Sequence, residues 1–118
     1  MDRSAELRGH ERIDQRSIAL HRAIAEKLRG KPEVLEIAHR NLERWMAVET
    51  RSMPYFQAWK KLLARPFAEL LPLLTEDSEA MRALRQATPF AGVLTPRERW
   101  AIYAQFPIER ELHDPRRA

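Results

Sequence analysis

The chain has 118 residues, enough for a single domain over residues 1–118 with a substantial buried core, and 44% of the residues are apolar. It contains no cysteine, which excludes disulfide bonds and thiolate metal sites and fits a reducing cytoplasm. The formal net charge is +4, but acidic and basic residues are interspersed. This charge favours a solvated surface of mixed sign and permits only weak attraction to nucleic acid or to an acidic partner.

Nothing in the sequence indicates export or membrane insertion. No apolar run approaches the roughly 20 residues that a membrane span requires. Residues 1–12 are polar and charged, without the apolar centre of a secretion signal. We therefore expect a cytoplasmic protein without membrane contact. Residues 1–12 should form a loosely ordered arm or a short helical extension, and residues 108–118 a loosely ordered tail.

The first part of the chain predicts two helices, over residues 13–29 and from Pro32 onward. Apolar residues recur at helical spacing, at Ile13, Leu20, Ile24 and Leu28 in the first and at Leu35, Ala38, Leu42, Trp45 and Val48 or Glu49 in the second. Gly30 suits the end of the first helix. Because only about three residues separate the two helices, we expect them to form an antiparallel hairpin.

Three shorter helices follow, over residues 53–64, 66–74 and 77–87. Ser52 is the predicted N-cap of the first, whose apolar face comprises Tyr55, Phe56, Trp59, Leu62 and Leu63, with Lys60 and Lys61 pointing outward. Pro72 should shorten or kink the second. No segment alternates like a strand. The predicted fold is therefore an all-α compact bundle of five to six helices that begins with an antiparallel helical hairpin.

The last helix has the strongest start signal in the chain. Thr95 and Glu98 have the spacing of a capping box, and Pro96 falls at the first helical position, where its missing N–H is harmless. Pro107 ends the helix. Trp100 and Tyr103 are three residues apart, so we expect both on the side of the helix that faces the core.

The apolar segment before this helix, residues 90–94, has two interpretations. Phe90, Val93 and Leu94 could fill the core beneath the last helix, with Gly92 allowing the backbone to turn. Alternatively, the segment could be an exposed apolar anchor for a partner protein. On the second interpretation, the candidate partner-binding residues are Phe90, Val93, Arg97 and Arg99.

The sequence offers little for catalysis. It has no phosphate-binding glycine loop and no nucleophile elbow, and its four histidines lack metal-ligand spacing. His21 and His39 lie beside the apolar faces of the first two helices, where they could approach each other or simply form local hydrogen bonds. We therefore expect no enzymatic activity, no bound metal and no cofactor.

Two further hypotheses stay open. The Arg-x4-His spacing of Arg16 and His21 resembles the motif of the HEPN ribonucleases, which are helical and cleave RNA across a dimer interface. The helices at 77–87 and 96–106 could also form a helix-turn-helix with Arg97, Arg99 and Gln105 exposed. However, about eight residues connect them, where three or four are usual. Of these two hypotheses, a nucleic-acid-binding transcriptional regulator ranks above a ribonuclease.

Two blocks of sequence, residues 16–28 (RSIALHRAIAEKL) and residues 89–100 (PFAGVLTPRERW), resemble those of small all-helical bacterial proteins found as partners of toxins. The resemblance implies an antitoxin-like protein that neutralises a toxin by direct binding. It assigns no catalytic residue. Our leading interpretation is therefore a protein-binding module of a bacterial toxin-antitoxin system, with the partner and the oligomeric state left open.

Overall fold

Six α-helices and one short 3₁₀ turn make up most of the chain in the computed structural model, which describes residues 3–48 and 51–107, with their side chains from residue 11 onward. The elements are α1 (Arg3–Gly30), the 3₁₀ turn (Pro32–Val34), α2 (Leu35–Val48), α3 (Met53–Leu63), α4 (Phe67–Leu74), α5 (Glu79–Gln86) and α6 (Pro96–Gln105). No strand occurs among these residues. The predicted all-α helical bundle is confirmed.

Helix boundaries agree with the predictions within a few residues, except at the start of α1. This helix begins at Arg3 instead of near Ile13, so of the two expectations for residues 1–12 the structure shows the helical extension. Pro32 starts a 3₁₀ turn before α2, and Ser52 and Ser78 are the N-caps of α3 and α5. The predicted tail at 108–118 and Glu49 lie outside the described residues.

The core is centred on Trp59 of α3 and Phe90 of the segment before α6. Trp59 is fully buried and Phe90 is 2% exposed, and their rings meet edge to face with centroids 5.8 Å apart. The indole Nε1–H of Trp59 donates to the carbonyl oxygen of Leu84 at 2.8 Å, which satisfies its one polar atom. Other buried apolar residues come from α1 to α5, including Ile24, Leu28, Leu42, Leu63, Leu70, Leu74 and Met81.

Two predicted core positions of α2 and α3 are exposed. Tyr55 is 45% exposed because the buried stripe of α3 runs through Phe56, Trp59 and Leu63, and Tyr55 lies at its edge. Val48 is 81% exposed at the last residue of α2, so the buried stripe of that helix ends before it. Lys60 and Lys61 point outward as predicted.

The 3₁₀ turn that joins α1 to α2 lies close to both helices. Within the described residues, α1 approaches α4, α5 and α6 closely, and α2 approaches α3. Residues 88–95 form hydrogen bonds with side chains of both α1 and α2, so this segment links the two opening helices.

Arg85 links α4 to α5 from a buried position. Its side chain is 3% exposed, and Nη1 donates to the carbonyl oxygens of Leu74 and Glu76, which caps the C-terminal end of α4. Burial lowers the pKa of the guanidinium, and the nearby carboxylates of Asp77 and Asp14 oppose this shift. Nε and Nη2 have no protein partner among the described residues.

Within the residues described, no helix combines the length and the apolar character that crossing a bilayer demands.

Candidate functional site

Helices α1 and α6 pack against each other in antiparallel orientation. Lys27, in the last turn of α1, contacts Glu98 in the first turn of α6. Earlier in α1, Arg12 donates from Nη1 to the carbonyl oxygen of Pro107, just beyond α6. Between these points, the guanidinium carbon of Arg16 lies 4.8 Å from the ring centroid of Tyr103. The Lys27–Glu98 contact joins the two sequence blocks, residues 16–28 and 89–100.

The connecting loop, which we define as residues 88–95, has its backbone carbonyls bound by side chains of α1 and α2. Asn41 Nδ2 donates to Pro89 O at 2.8 Å and to Ala91 O at 2.9 Å, and Lys27 Nζ donates to Val93 O at 3.1 Å. A buried loop without such partners would lose the hydrogen bonds that water gives its backbone. These contacts allow an irregular segment to lie in the core.

His21 is the polar residue of α1 that fixes the start of the connecting loop. It is 2% exposed, with Nδ1 2.7 Å from Ser17 O and Nε2 2.9 Å from Thr88 Oγ1. Because a carbonyl only accepts, Nδ1 carries the proton and Nε2 accepts from the Thr88 hydroxyl. Burial lowers the pKa of His21 to about 4, so the ring is neutral near pH 7.

The apolar side chains of the connecting loop belong to the core. Phe90, Val93 and Leu94 are 2%, 4% and 6% exposed, and Gly92 has a φ of 91°, the left-handed region that favours glycine. Phe90 and Val93 therefore fill the core, which corrects their expected role as an exposed anchor. Of the two interpretations of this segment, the structure shows the core filling. The physical reason is that Asn41 and Lys27 satisfy the loop backbone while its side chains face inward.

The start of α6 is the predicted capping box. Glu98 N–H donates to Thr95 Oγ1 at 3.1 Å, and Thr95 N–H donates to Glu98 Oε1 at 2.8 Å. The ammonium of Lys27 donates to the same oxygen of Glu98 at 2.6 Å. These hydrogen bonds, that from Lys27 above all, lower the pKa of Glu98 to about 2. One carboxylate thus starts α6 and attaches it to α1.

Helix α6 has apolar residues on two opposite sides. Ile102 and Tyr103 face the bundle and are half-buried, whereas Trp100, Ala101 and Ala104 follow one exposed stripe at three- and four-residue spacing. Trp100 is 62% exposed, so its predicted core position is wrong. Trp100 and Tyr103 are about 60° apart around the helix, so they are neighbours, but Tyr103 lies against Arg16 of α1 whereas Trp100 faces solvent.

The exposed side of α6 is also basic. Arg97 and Arg99 are exposed, as expected, and neither has an ion-pair partner among the described residues. The neighbouring acid, Glu98, is held by Lys27 and Thr95. The rings of Trp100 and Tyr103 meet edge to face with centroids 5.7 Å apart. The outer surface of α6 therefore combines one large aromatic side chain with two arginines that no described acid neutralises.

A pocket of about 170 Å³ opens between α1, the connecting loop and α6. Its apolar lining comes from Leu20, Ile24, Phe90, Ala91 and Leu94. His21, Thr88, Arg99 and Tyr103 provide its polar atoms. Because Tyr103 contacts both this pocket and Trp100, the pocket continues into the exposed surface of α6.

The other predicted candidates do not form a common site. His39 is exposed on α2 while His21 is buried and bound to Ser17 and Thr88, so the two rings do not pair. Among the residues described, no three metal-binding side chains gather in one place. The α5–α6 pair is not among the close helix pairs of the described chain, unlike the two packed helices of a helix-turn-helix.

Asn41 is the residue of this site that the sequence interpretation missed. A signal for it exists, because Ala38, Asn41, Leu42 and Trp45 occupy one helical stripe, and a polar residue within such a stripe is expected to bind something buried. Arg85 was also missed, although it follows the buried Met81 by four residues. Their hydrogen-bond acceptors are backbone carbonyls that are distant in sequence, so the local sequence pattern does not indicate them.

Comparisons of the chain with protein-family models, with curated proteins and with solved structures found no match.

Proposed function

We propose that this chain is a non-enzymatic protein-binding module, an antitoxin-like protein that neutralises a partner toxin in the bacterial cytoplasm by direct contact. The observation that supports the proposal is the 62% exposure of Trp100 on α6. Tryptophan is the residue type most enriched at the energetic centres of protein interfaces. Its exposure on an ordered helix therefore favours a role in binding.

The outer stripe of α6 has the form that a helix uses to bind a partner. Trp100, Ala101 and Ala104 would face the partner, with the two alanines allowing its backbone to approach closely. The opposite side is held by polar contacts to α1, so α6 is already ordered before a partner arrives. Ordering in advance lowers the entropic cost of association. Arg97 and Arg99 add positive charge and favour an acidic partner.

The test is binding between this chain and the product of the neighbouring gene, expressed together and purified. Trp100→Ser should weaken the complex by at least about 30-fold, as truncation of a central interface residue does, while circular dichroism stays unchanged. Tyr55→Ser is the matched control, because Tyr55 is another exposed aromatic residue, on α3. Equal affinity of the wild type and Trp100→Ser, or no complex at all, would refute the proposal.

A nucleic-acid-binding regulator is the second candidate, favoured by Arg97 and Arg99 beside Trp100, which form no ion pair with any acid that the structure describes. We expect weak, sequence-independent binding that disappears as salt rises, because such contacts release counterions from phosphates. An electrophoretic shift specific for one operator at physiological salt would favour this candidate over protein binding.

An RNA-cleaving activity is the third candidate. His21 would be its essential residue, but it is buried, and both ring nitrogens are hydrogen-bonded to the protein. We therefore expect no cleavage when purified, metal-free protein is incubated with RNA. Cleavage that is lost in His21→Ala, a variant whose folding is first verified, would support the ribonuclease.

A further inference from the structure

We infer that the pocket between α1, the connecting loop and α6 receives one apolar side chain of the partner protein, with a carboxylate on an adjacent residue bound by Arg99. The inference rests on the proposed function, because it specifies the chemistry of the partner segment at the same surface. The partner segment is therefore acidic and contains one apolar anchor residue.

The size and lining of the pocket define the anchor. Its volume is about 170 Å³, close to the roughly 150 Å³ of an apolar cavity that holds one benzene molecule. Leu20, Ile24, Phe90 and Leu94 give it an apolar interior. A side chain of about the size of benzene, such as that of leucine or phenylalanine, fits this space.

Arg99 is the charged residue among the polar residues that line the pocket, which also include His21, Thr88 and Tyr103. His21 Nε2 and the hydroxyl of Thr88 bind each other, so they offer no strong donor to an incoming group. Arg99 is exposed and has no ion-pair partner among the described residues. An arginine at the edge of an apolar pocket binds a carboxylate through two parallel hydrogen bonds. The apolar anchor therefore carries a neighbouring acid.

Trp100 extends the same surface beyond the pocket. It contacts Tyr103, which lines the pocket, so a bound segment that fills the pocket continues along the indole. Arg97, one turn from Ala101 on the exposed stripe, lies outside the pocket lining. The two exposed arginines of α6 are thus separated by position: Arg99 belongs to the pocket and Arg97 does not.

This difference gives a matched experiment with two probes, the peptides Ac-Ala-Leu-Glu-Ala-NH2 and Ac-Ala-Leu-Gln-Ala-NH2. Titration of the full chain followed by ¹H–¹⁵N NMR should show saturable shifts in residues 88–94, with the glutamate peptide bound about tenfold tighter. Arg99→Gln should remove this preference and leave the leucine-dependent shifts. Arg97→Gln should leave the preference unchanged. Ala91→Phe, which places a ring at the pocket edge, should abolish both sets of shifts.

The outcomes separate this inference from the proposed function. Absence of saturable shifts up to about 10 mM peptide, or an equal preference for glutamate in wild type and Arg99→Gln, would overturn the pocket assignment. The effect of Trp100→Ser on the protein complex would be unaffected by either result. Conversely, a glutamate preference that depends on Arg99 supports the pocket even when Trp100→Ser leaves the complex intact, which is the result that refutes the proposed function.

Discussion

Lys27 and Glu98 are 71 residues apart in sequence, and their charged groups are 2.6 Å apart in the structure. The contact fixes the beginning of α6 against the last turn of α1. Glu98 also lies at the positive end of the α6 dipole, where a carboxylate is favourable. The pair is partly exposed to solvent, so its stabilising effect depends on geometry and on salt.

This arrangement predicts a pH-dependent difference between the wild type and Glu98→Gln. The pKa of Glu98 is lowered from 4.5 to about 2 in the folded protein. A lowered carboxylate pKa contributes stability that is present above pH 4.5 and is lost as the pH falls through about 2. In urea unfolding, Glu98→Gln should therefore be less stable near pH 6, and its deficit should shrink toward pH 2. Glu36→Gln, at an exposed pair with Arg40, is the control with a smaller deficit.

His21 predicts a second acid-sensitive transition, at higher pH. The pKa of His21 is about 4 in the folded state and 6.5 in the reference state. Between these pH values the unfolded chain therefore binds a proton at His21 that the folded chain does not bind. The resulting stability is fully present above pH 6.5 and lost as the pH falls to 4, by about 3 kcal/mol. His21→Gln should be less stable at pH 7 but lose less stability over this range. His39→Gln, at an exposed position, should retain the wild-type profile, and a wild-type profile in His21→Gln would contradict the assignment.

Trp59 of α3 and Trp100 of α6 should respond in opposite ways to substitution. Trp100→Ala should change the free energy of unfolding by less than about 1 kcal/mol, because the side chain is mostly in solvent. Trp59→Phe should cost about 2 kcal/mol or more, because it leaves a void and removes the hydrogen bond from Nε1 to the Leu84 carbonyl, which then accepts only from Ala87 N–H. Chemical denaturation of the two variants measures both values. A large loss in Trp100→Ala would mean that α6 packs with its other side inward.

Substitutions at Gly92 and Gly30 allow a matched test of how backbone conformation affects stability. An added Cβ at Gly92 has room, with Ile37 Cγ2 at 4.0 Å, but the φ of 91° strains any other residue. Gly92→Ala should therefore destabilise the protein by about 1–2 kcal/mol through conformation alone. Gly30, the last residue of α1, has open space and no positive φ, so Gly30→Ala should be neutral or stabilise by up to about 1 kcal/mol. Equal effects in thermal melts would argue against this backbone explanation.

Helix starts could be predicted from the sequence because they depend on neighbouring residues. Thr95, Pro96 and Glu98 form a local capping box, and Ser78 accepts a hydrogen bond from Met81 N–H, only three residues away. Such interactions are fully encoded within one turn. The all-α class was predictable for the same reason, since helical periodicity is a short-range pattern.

The orientation of α6 and the role of the connecting loop were not predictable in this way. With Ile102 on one side and Trp100 with Ala101 on the other, the pattern of α6 does not indicate which side faces inward. The outcome depends on α1, which supplies Lys27 and Arg16 as partners. The burial of Phe90 likewise depends on Asn41, a residue 49 positions earlier by sequence number.

The burial of the connecting loop also has a consequence for biosynthesis. The ribosome synthesises α1 first, and Glu98 is added 71 residues after its partner Lys27. At typical rates of about 5–20 residues per second, this interval lasts about 4 to 14 s. During that time the nascent helices lack Phe90, which completes the space around Trp59. The sequence separation of the contacting residues thus sets an interval during which translation speed and chaperone binding act on an incomplete core.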